Sequence, residues 1–280
     1  MRLLTFMARR FVAGDTLDEA VPQVKRLNSQ GIKATLDNLG EECRTRAQAV
    51  AARDEYVKML GRIAEEKLDC NVSLKLTQFG LGLDLGFCKD NLFRVLDEAR
   101  ESGNFVRIDM EGTGYTDKTL DLFRQAQAYY PKVGIVIQAM LRRSEGDIAD
   151  LVRAGVCVRL CKGAYQEPPE LAFPDKKDVN ANYDKLAEML LQGPNPALAT
   201  HDDDRIAAAA AAAEKAGLPK QKYEIQMLYG LRARRWKELA AAGHVVRIYT
   251  PYGTHWFPYF YRRIRERKEN LMFVLRNFLE

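Results

Sequence analysis

Short apolar runs alternate with longer amphipathic segments along the whole sequence. Eight of the short runs have the length and the β-branched or aromatic content of strands. They cover residues 32–37, 71–77, 105–111, 133–139, 156–162, 197–201, 223–228 and 245–249. Alternation of strands with helices predicts a parallel sheet with right-handed crossovers. Eight such units in one domain most simply close into an α/β fold of the (β/α)8 barrel type.

The segments between the strands carry helix signals at their ends. An opening helix at residues 17–30 precedes the first strand, and later helices are predicted over 45–68, 90–100, 116–130, 144–155, 202–217 and 232–243, with a last helix after the eighth strand. The expected N-caps include Asp90, Thr116 or Asp117, and Ser144. An open, doubly wound sheet is the alternative topology, but no G-x-G-x-x-G motif follows the first strand. Since no linker of proline, serine or glycine divides the chain, residues 1–280 are predicted to form one domain.

Composition narrows the class of protein. A hydrophobic content of 47% with 29% charged residues argues against disorder. The net charge of +5 permits an anionic ligand but does not demand nucleic acid, and none is expected as a partner. The five cysteines include no C-x-x-C pair and the chain has three histidines, so we expect reduced thiols and no metal. Gly14 and Asp15 follow the Arg9–Arg10 pair where a signal would be apolar, which predicts a cytoplasmic protein.

Polar residues interrupt the predicted strands, although barrel strands should be apolar on both faces. They alternate with apolar residues and comprise Ser73, Lys75, Thr77, Arg107, Asp109, Glu111, Gln138, Arg159, Lys162, Thr200, His201, Glu224, Gln226, Arg247 and Tyr249. An unpaired buried charge costs several kcal/mol, so these groups must pair with one another, with water or with a ligand. An internal salt-bridge network without a ligand is one interpretation. Because most of them lie at carboxyl ends of strands, where barrel enzymes place their sites, we predict a binding site for an anionic cofactor.

A pair of adjacent arginines lies in the segment YGTHWFPYFYRRIRERKEN, residues 252–270. Tyr259 and Glu266 lie three or four positions from both Arg262 and Arg263, so one helix face can gather all four. Neighbouring helix positions diverge by about 100°, and two arginines can therefore approach one carboxylate from different directions. The pattern predicts an anion clamp, with a solvated surface pair as the alternative.

Eight segments in chain order resemble the bacterial monofunctional proline dehydrogenases: RFVAGDTLDEA, LDNLGE, SLKLTQFG, RIDMEG, VIQAMLRRS, VRLCKGAY, ATHD and YTPYGTHWFPYFYRRIRE. The resemblance implies a distorted barrel that binds FAD noncovalently. It implies oxidation of L-proline to Δ1-pyrroline-5-carboxylate by hydride transfer from C5 to flavin N5, the first step of proline catabolism to glutamate. Electrons would pass to a membrane quinone, which leaves open a peripheral contact at the inner face of the membrane, and a separate pyrroline-5-carboxylate dehydrogenase would take the product.

The resemblance also implies a role for individual residues. Asp109 and Arg159 would form the catalytic ion pair. Proline would contact Lys75, Tyr249, Tyr259, Arg262 and Arg263, with Glu266 supporting the arginines. FAD would contact Met110, Gln138, Lys162, Gly163, Ala164, Thr200, His201 and Gln226.

Three other functions are compatible with parts of the pattern. A barrel enzyme could use Lys75 or Lys162 as a Schiff-base nucleophile. A basic interaction module could bind RNA or a membrane through its last helix. Hydroxyproline could replace proline as the substrate, although we expect Tyr249 to crowd a hydroxyl group on the ring.

Overall fold

Eight parallel strands close into a barrel in the computed structural model, which describes residues 10–40 and 42–256. The strands are β1 (Lys33–Asn38), β2 (Cys70–Leu74), β3 (Val106–Ile108), β4 (Val133–Gln138), β5 (Val158–Cys161), β6 (Ala197–Ala199), β7 (Glu224–Leu228) and β8 (Val245–Tyr252). Each strand pairs with the next in the chain, and β8 returns to pair with β1 from Lys33 opposite Arg247 to Asn38 opposite Tyr252. The predicted (β/α)8 barrel is confirmed.

Helices surround this barrel. They are α1 (Leu17–Asn28), α2 (Arg46–Glu65), α3 (Leu85–Glu101), α4 (Thr113–Tyr129), α5 (Ser144–Arg153), α6 (Lys176–Leu190), α7 (Asp203–Lys215) and α8 (Ala233–Ala241). Helix α1 precedes β1, as predicted, and α2 to α8 follow β1 to β7 in order. The helix predicted after β8, with Tyr259, Arg262, Arg263 and Glu266, lies outside the described residues.

Two predicted helix starts are wrong, and a third helix lacks its predicted cap. Helix α3 begins at Leu85 and not near Asp90, because the Asp84 carboxylate accepts the amide N–H of Phe87 at 2.7 Å. Helix α4 begins at Thr113, three residues before Thr116. Ser144 is the first residue of α5 and not its cap, and its hydroxyl donates instead to a strand carbonyl oxygen, that of Gln138, at 2.6 Å. Helix α6 was not identified in the sequence at all.

The predicted strand ends also need correction at the carboxyl side of the barrel. Strand β2 stops at Leu74, and residues 76–79 form a 3-10 turn that ends at Gly80 with φ of 101°. Strand β3 stops at Ile108, before Asp109 and the rest of its predicted polar end. The backbone N–H of Asp109 still donates to the Leu74 carbonyl oxygen at 2.8 Å, so one bond to β2 continues past the end of β3. Strand β8 is longer than predicted and reaches Tyr252.

Apolar and polar strand residues separate as the alternation predicted. Val106 and Ile108 of β3 belong to the buried cluster that includes Leu92, Val95 and Leu96 of α3. Arg159 of β5 instead donates to the Ser73 hydroxyl of β2, at 3.1 Å across the barrel. Arg159 and Ser73 of the polar set therefore point into the barrel interior, and Val106 and Ile108 of the apolar set pack between the sheet and the helices. Among the described residues, no helix is long and apolar enough to cross a membrane.

Candidate active site

Asp109, directly after β3, is the centre of a hydrogen-bond network at the carboxyl end of the barrel. Its Oδ1 accepts the Ser73 hydroxyl at 2.6 Å and Arg159 Nη1 at 3.0 Å. Its Oδ2 accepts the Tyr249 hydroxyl at 2.9 Å and lies 3.3 Å from Lys75 Nζ. The donors come from β2, β5 and β8 and from the residue that follows β2. One carboxylate thus joins four predicted polar positions from three predicted strands.

Opposite charges keep both ends of this network ionised. Burial raises the pKa of Asp109, but the charges of Lys75 and Arg159 outweigh burial, so the net pKa is lowered. Burial alone would lower the pKa of Lys75, whereas the Asp37 and Asp109 carboxylates raise it well above its ordinary value. The site therefore presents a lysine cation and an arginine cation beside a carboxylate that stays charged.

Asp37 and Tyr56 complete the network, and neither was among the predicted site residues. The Tyr56 hydroxyl donates to Asp37 Oδ1 at 3.0 Å and to the Ser73 carbonyl oxygen at 2.8 Å. Both carboxylate oxygens of Asp37 lie 3.4 Å from Lys75 Nζ. Burial raises the pKa of Asp37. A signal for Asp37 was present, since it alternates with apolar Leu36 in β1; Tyr56 resembles an ordinary buried aromatic residue of α2.

One nitrogen of the Arg159 guanidinium group has no acceptor among the described residues. Its Nε donates to Gln226 Oε1 at 2.7 Å and its Nη1 to Asp109 and Ser73, but its buried Nη2 has no hydrogen-bond partner among the described residues. The guanidinium carbon lies 5.4 Å from the centre of the Tyr249 ring. A buried donor without an acceptor is costly. A ligand with hydrogen-bond acceptors, such as a flavin ring, would supply the acceptor that this nitrogen lacks.

A second group of predicted cofactor residues lies where β5 and β6 end. Lys162 Nζ donates to Asn180 Oδ1 at 2.6 Å and pairs with Asp202 Oδ2 at 2.7 Å. Gly163 has φ of 109°, and a Cβ there would lie 2.4 Å from Met140 Sδ, so this turn requires glycine. The small residue lets the backbone of this turn pack closely, and it precedes Ala164, another of the predicted FAD contacts.

The remaining predicted cofactor residues lie on the same rim. Thr200 Oγ1 accepts the backbone N–H of Asp202 at 3.1 Å. His201 Nε2 accepts the backbone N–H of Leu228 at 3.2 Å, which requires the proton of a neutral ring to lie on Nδ1. Gln138 Nε2 donates to the carbonyl oxygen of Glu111 at 2.9 Å.

The structure therefore brings some predicted residues into direct contact and leaves others apart. Asp109, Arg159, Lys75, Tyr249 and Gln226 form one continuous network. Met110 follows Asp109 in the sequence and is buried in the core cluster. Lys162 and Thr200 belong to the second group. The predicted arginine clamp lies outside the described residues. No group of metal ligands occurs in the part of the chain that the structure describes.

Comparisons with known proteins agree with this fold. The proline dehydrogenase family model matches residues 20–276. Proline dehydrogenase 1 of Bacillus subtilis is 43% identical over 274 residues, which cover 98% of this chain and 91% of that protein. The proline dehydrogenase of Deinococcus radiodurans is 38% identical over 282 residues, covering 98% and 90%.

A solved structure extends the comparison to the fold. Proline utilization A (PutA) from Bdellovibrio bacteriovorus, inactivated by N-propargylglycine, superposes with a TM-score of 0.87 at 29% identity. The match covers 94% of this chain and 33% of that chain, so this chain spans a third of the longer protein. The family match across most of the sequence, the near full-length relatives and the closed barrel agree, and the chain belongs to the proline dehydrogenase family.

Proposed function

We propose that this protein oxidises L-proline to Δ1-pyrroline-5-carboxylate with noncovalently bound FAD. The observation that carries the proposal is the charged network of Asp109, Lys75 and Arg159 at the carboxyl end of the barrel, in a member of this family. The inactivator named for the PutA structure, N-propargylglycine, is an amino acid with a secondary amine, as proline is. Residues 1–280 would act as one domain.

Cationic side chains would bind the proline carboxylate. Lys75 is charged, and its side chain is 12% exposed, so it can reach a ligand while it remains near Asp37 and Asp109. The proposal adds Arg262 and Arg263, supported by Glu266, as further donors. Charge-assisted hydrogen bonds contribute about 1.5–3 kcal/mol each, which is sufficient to hold a small amino acid. Tyr249 and Tyr259 would enclose the ring.

Arg159 would present its unused Nη2 to the cofactor, with Asp109 and Gln226 fixing the direction of the guanidinium group. The other proposed contacts with FAD are Met110, Gln138, Lys162, Gly163, Ala164, Thr200 and His201. When bound, FAD supplies the hydride acceptor, its N5 atom, for the hydrogen that leaves proline C5. The positive charge of Arg159 would stabilise the negative charge that accompanies reduction.

The remaining network residues would hold protons in place during this reaction. Burial and the nearby Asp109 charge raise the pKa of Tyr249 well above its ordinary value, so its hydroxyl keeps its proton and donates it in a hydrogen bond. Asp109 stays ionised and accepts. Proline would bind with its amine deprotonated, which leaves a lone pair to assist loss of the C5 hydride.

The proposal includes the partners implied by this chemistry. Electrons would leave for a membrane quinone through a peripheral contact at the inner face of the membrane, from a cytoplasmic protein. The pyrroline product would pass to a separate pyrroline-5-carboxylate dehydrogenase on the route to glutamate.

The direct test is to purify the protein, record its visible spectrum and add L-proline without oxygen. We expect flavin absorbance that bleaches with L-proline, and less with trans-4-hydroxy-L-proline because Tyr249 crowds the ring. Lys75→Met should keep the flavin but need more proline for bleaching, whereas Lys58→Met, an exposed lysine on α2, should match the unmodified protein. A colourless protein that FAD cannot reconstitute, and that borohydride traps with substrate at Lys75 or Lys162, would overturn the proposal in favour of a Schiff-base enzyme.

A further inference from the structure

A cavity of about 420 Å³ opens at the amino ends of the strands, at the opposite end of the barrel from Asp109. We name it the amino-end cavity; its lining includes Lys33, Arg107, Cys157, Lys222, Glu224 and Arg247. None of these residues belongs to the proposed proline or FAD contacts. The cavity therefore needs an explanation of its own.

Arg107 of β3 is the most buried cation of this cavity, with 3% exposure. Its Nη1 donates to the carbonyl oxygens of Cys157 at 2.7 Å and Ile135 at 3.3 Å, and its guanidinium carbon lies 4.7 Å from the Phe105 ring centre. Its Nε has no acceptor among the described residues. A Cβ on Gly134 would lie 2.5 Å from Nη1, so the glycine in β4 leaves room for the guanidinium group.

The charges around the cavity do not cancel. Its lining holds four cationic side chains and two carboxylates. Arg247 makes a two-pronged pair with Glu224, at 2.9 and 2.8 Å, and Lys33 lies 3.6 Å from Asp69. Lys222, exposed in the turn before β7, makes no ion pair with any described carboxylate. The two carboxylates are thus occupied by two of the cations.

Arg107 makes no ion pair within the described ranges either. Burial, and after it the charge of Arg159, lowers the pKa of Arg107 to about 9. A depressed arginine pKa means that the surrounding protein leaves its charge undercompensated. A bound anion would supply the missing charge, and the planar arginine fork suits two oxygens of a phosphate or carboxylate group.

We propose that the amino-end cavity binds a small oxyanion, of the phosphate or carboxylate class, through Arg107 and Lys222. The site lies at the other end of the barrel from the proposed proline and FAD contacts. Asp69 and Glu224 make the site selective for small anions, because their carboxylates repel an anion that extends past Arg107 and Lys222.

Inorganic phosphate is the probe for the test. Phosphate is titrated into the protein saturated with FAD, so that the cofactor site is already filled. It replaces sodium chloride, so that the ionic strength stays constant. We expect saturable binding by calorimetry. Removal of the exposed charge in Lys222→Ala should weaken it about two- to fivefold, the usual size of an exposed charge interaction. Lys237→Ala, an exposed lysine on α8 outside the cavity, is the matched control and should bind phosphate unchanged.

Arg107→Gln should abolish saturable binding, provided that circular dichroism shows the variant folded. Cys157 gives a second readout that needs no variant, because its free, half-buried thiol lines the cavity. Phosphate should slow iodoacetamide labelling of Cys157 and leave Cys43, whose amide bonds to Thr77 near the other end of the barrel, unaffected. Absence of saturable binding, equal affinity in Lys222→Ala, or unprotected Cys157 would overturn the proposal.

Discussion

Replacing Glu224 by glutamine tests whether the charges inside the barrel stabilise the fold as pairs. The Glu224 side chain is 21% exposed; it accepts two N–H donors from Arg247, and Gln226 Nε2 donates to it at 2.7 Å. Burial would raise the pKa of Glu224, but Arg247 outweighs burial and holds the pKa at about 2. Glutamine keeps the shape of the side chain and removes the charge.

The expected loss follows from that pKa. The pKa falls from its ordinary value of 4.5 to about 2. At about 1.4 kcal/mol for each unit, the charged carboxylate contributes about 3 kcal/mol to the free energy of unfolding at neutral pH. Because the folded-state pKa is depressed, this contribution is complete above about pH 4.5 and is lost as the pH falls through about 2. About half of it should remain at pH 3.

Urea unfolding of the unmodified protein and of Glu224→Gln, at pH 7 and at pH 3, measures both values. Glu188→Gln, an exposed carboxylate on α6, is the control and should change the free energy of unfolding by less than about 0.5 kcal/mol. A loss in Glu224→Gln below about 1 kcal/mol at pH 7 would refute the pairing argument. So would a loss of the same size at both pH values, since packing and not charge would then be responsible.

Two further substitutions test the site. Tyr249→Phe keeps the ring and removes the hydroxyl that donates to Asp109 at 2.9 Å. We expect kcat/KM for proline to fall about tenfold, because one charge-assisted hydrogen bond is lost. The FAD content should not change. Gly163→Ala places a Cβ against Met140 and should lower FAD affinity at least about tenfold in a fluorescence titration, because it adds a clash to backbone strain. Gly155→Ala is the control, because Gly155 also has a positive φ but has open space around it. A loss of FAD affinity in Gly155→Ala as large as that in Gly163→Ala would contradict the role of close packing at Gly163.

The existence and order of the strands could be read from the sequence, whereas their ends could not. Periodicity reports which residues are buried, and it identified Arg107, Asp109 and Arg159 as interior because they alternate with apolar neighbours. It does not report where the ladder stops. Strand β3 ends at Ile108, and the side chain of the next residue, Asp109, contacts donors on β2 and β5 that are not local in sequence.

The site was partly predictable for the same reason. Polar residues at strand ends are anomalous in a barrel, so Lys75, Arg159 and Tyr249 stood out. Tyr56 could not stand out, because a tyrosine on the buried face of a helix is an ordinary core residue until its hydroxyl is seen 3.0 Å from Asp37. The individual roles in binding proline and FAD stay predictions, and they rest on the resemblance together with this geometry.

The two charged ends of the barrel interior are connected, and the connection explains why so many ionised groups occupy one core. Buried ion pairs contribute little net stability compared with apolar residues of equal size, so stability alone does not account for them. Glu224 accepts Gln226 Nε2, and the other end of the same amide accepts Arg159 Nε at 2.7 Å. The Glu224–Arg247 pair thus fixes the orientation of Gln226, and Gln226 fixes Arg159 with its Nη2 left over for a ligand. The Glu224 charge at the amino end therefore helps to position Arg159, the cation that we propose contacts the flavin. Arg159 and Gln226, which transmits this effect, are 67 residues apart in sequence.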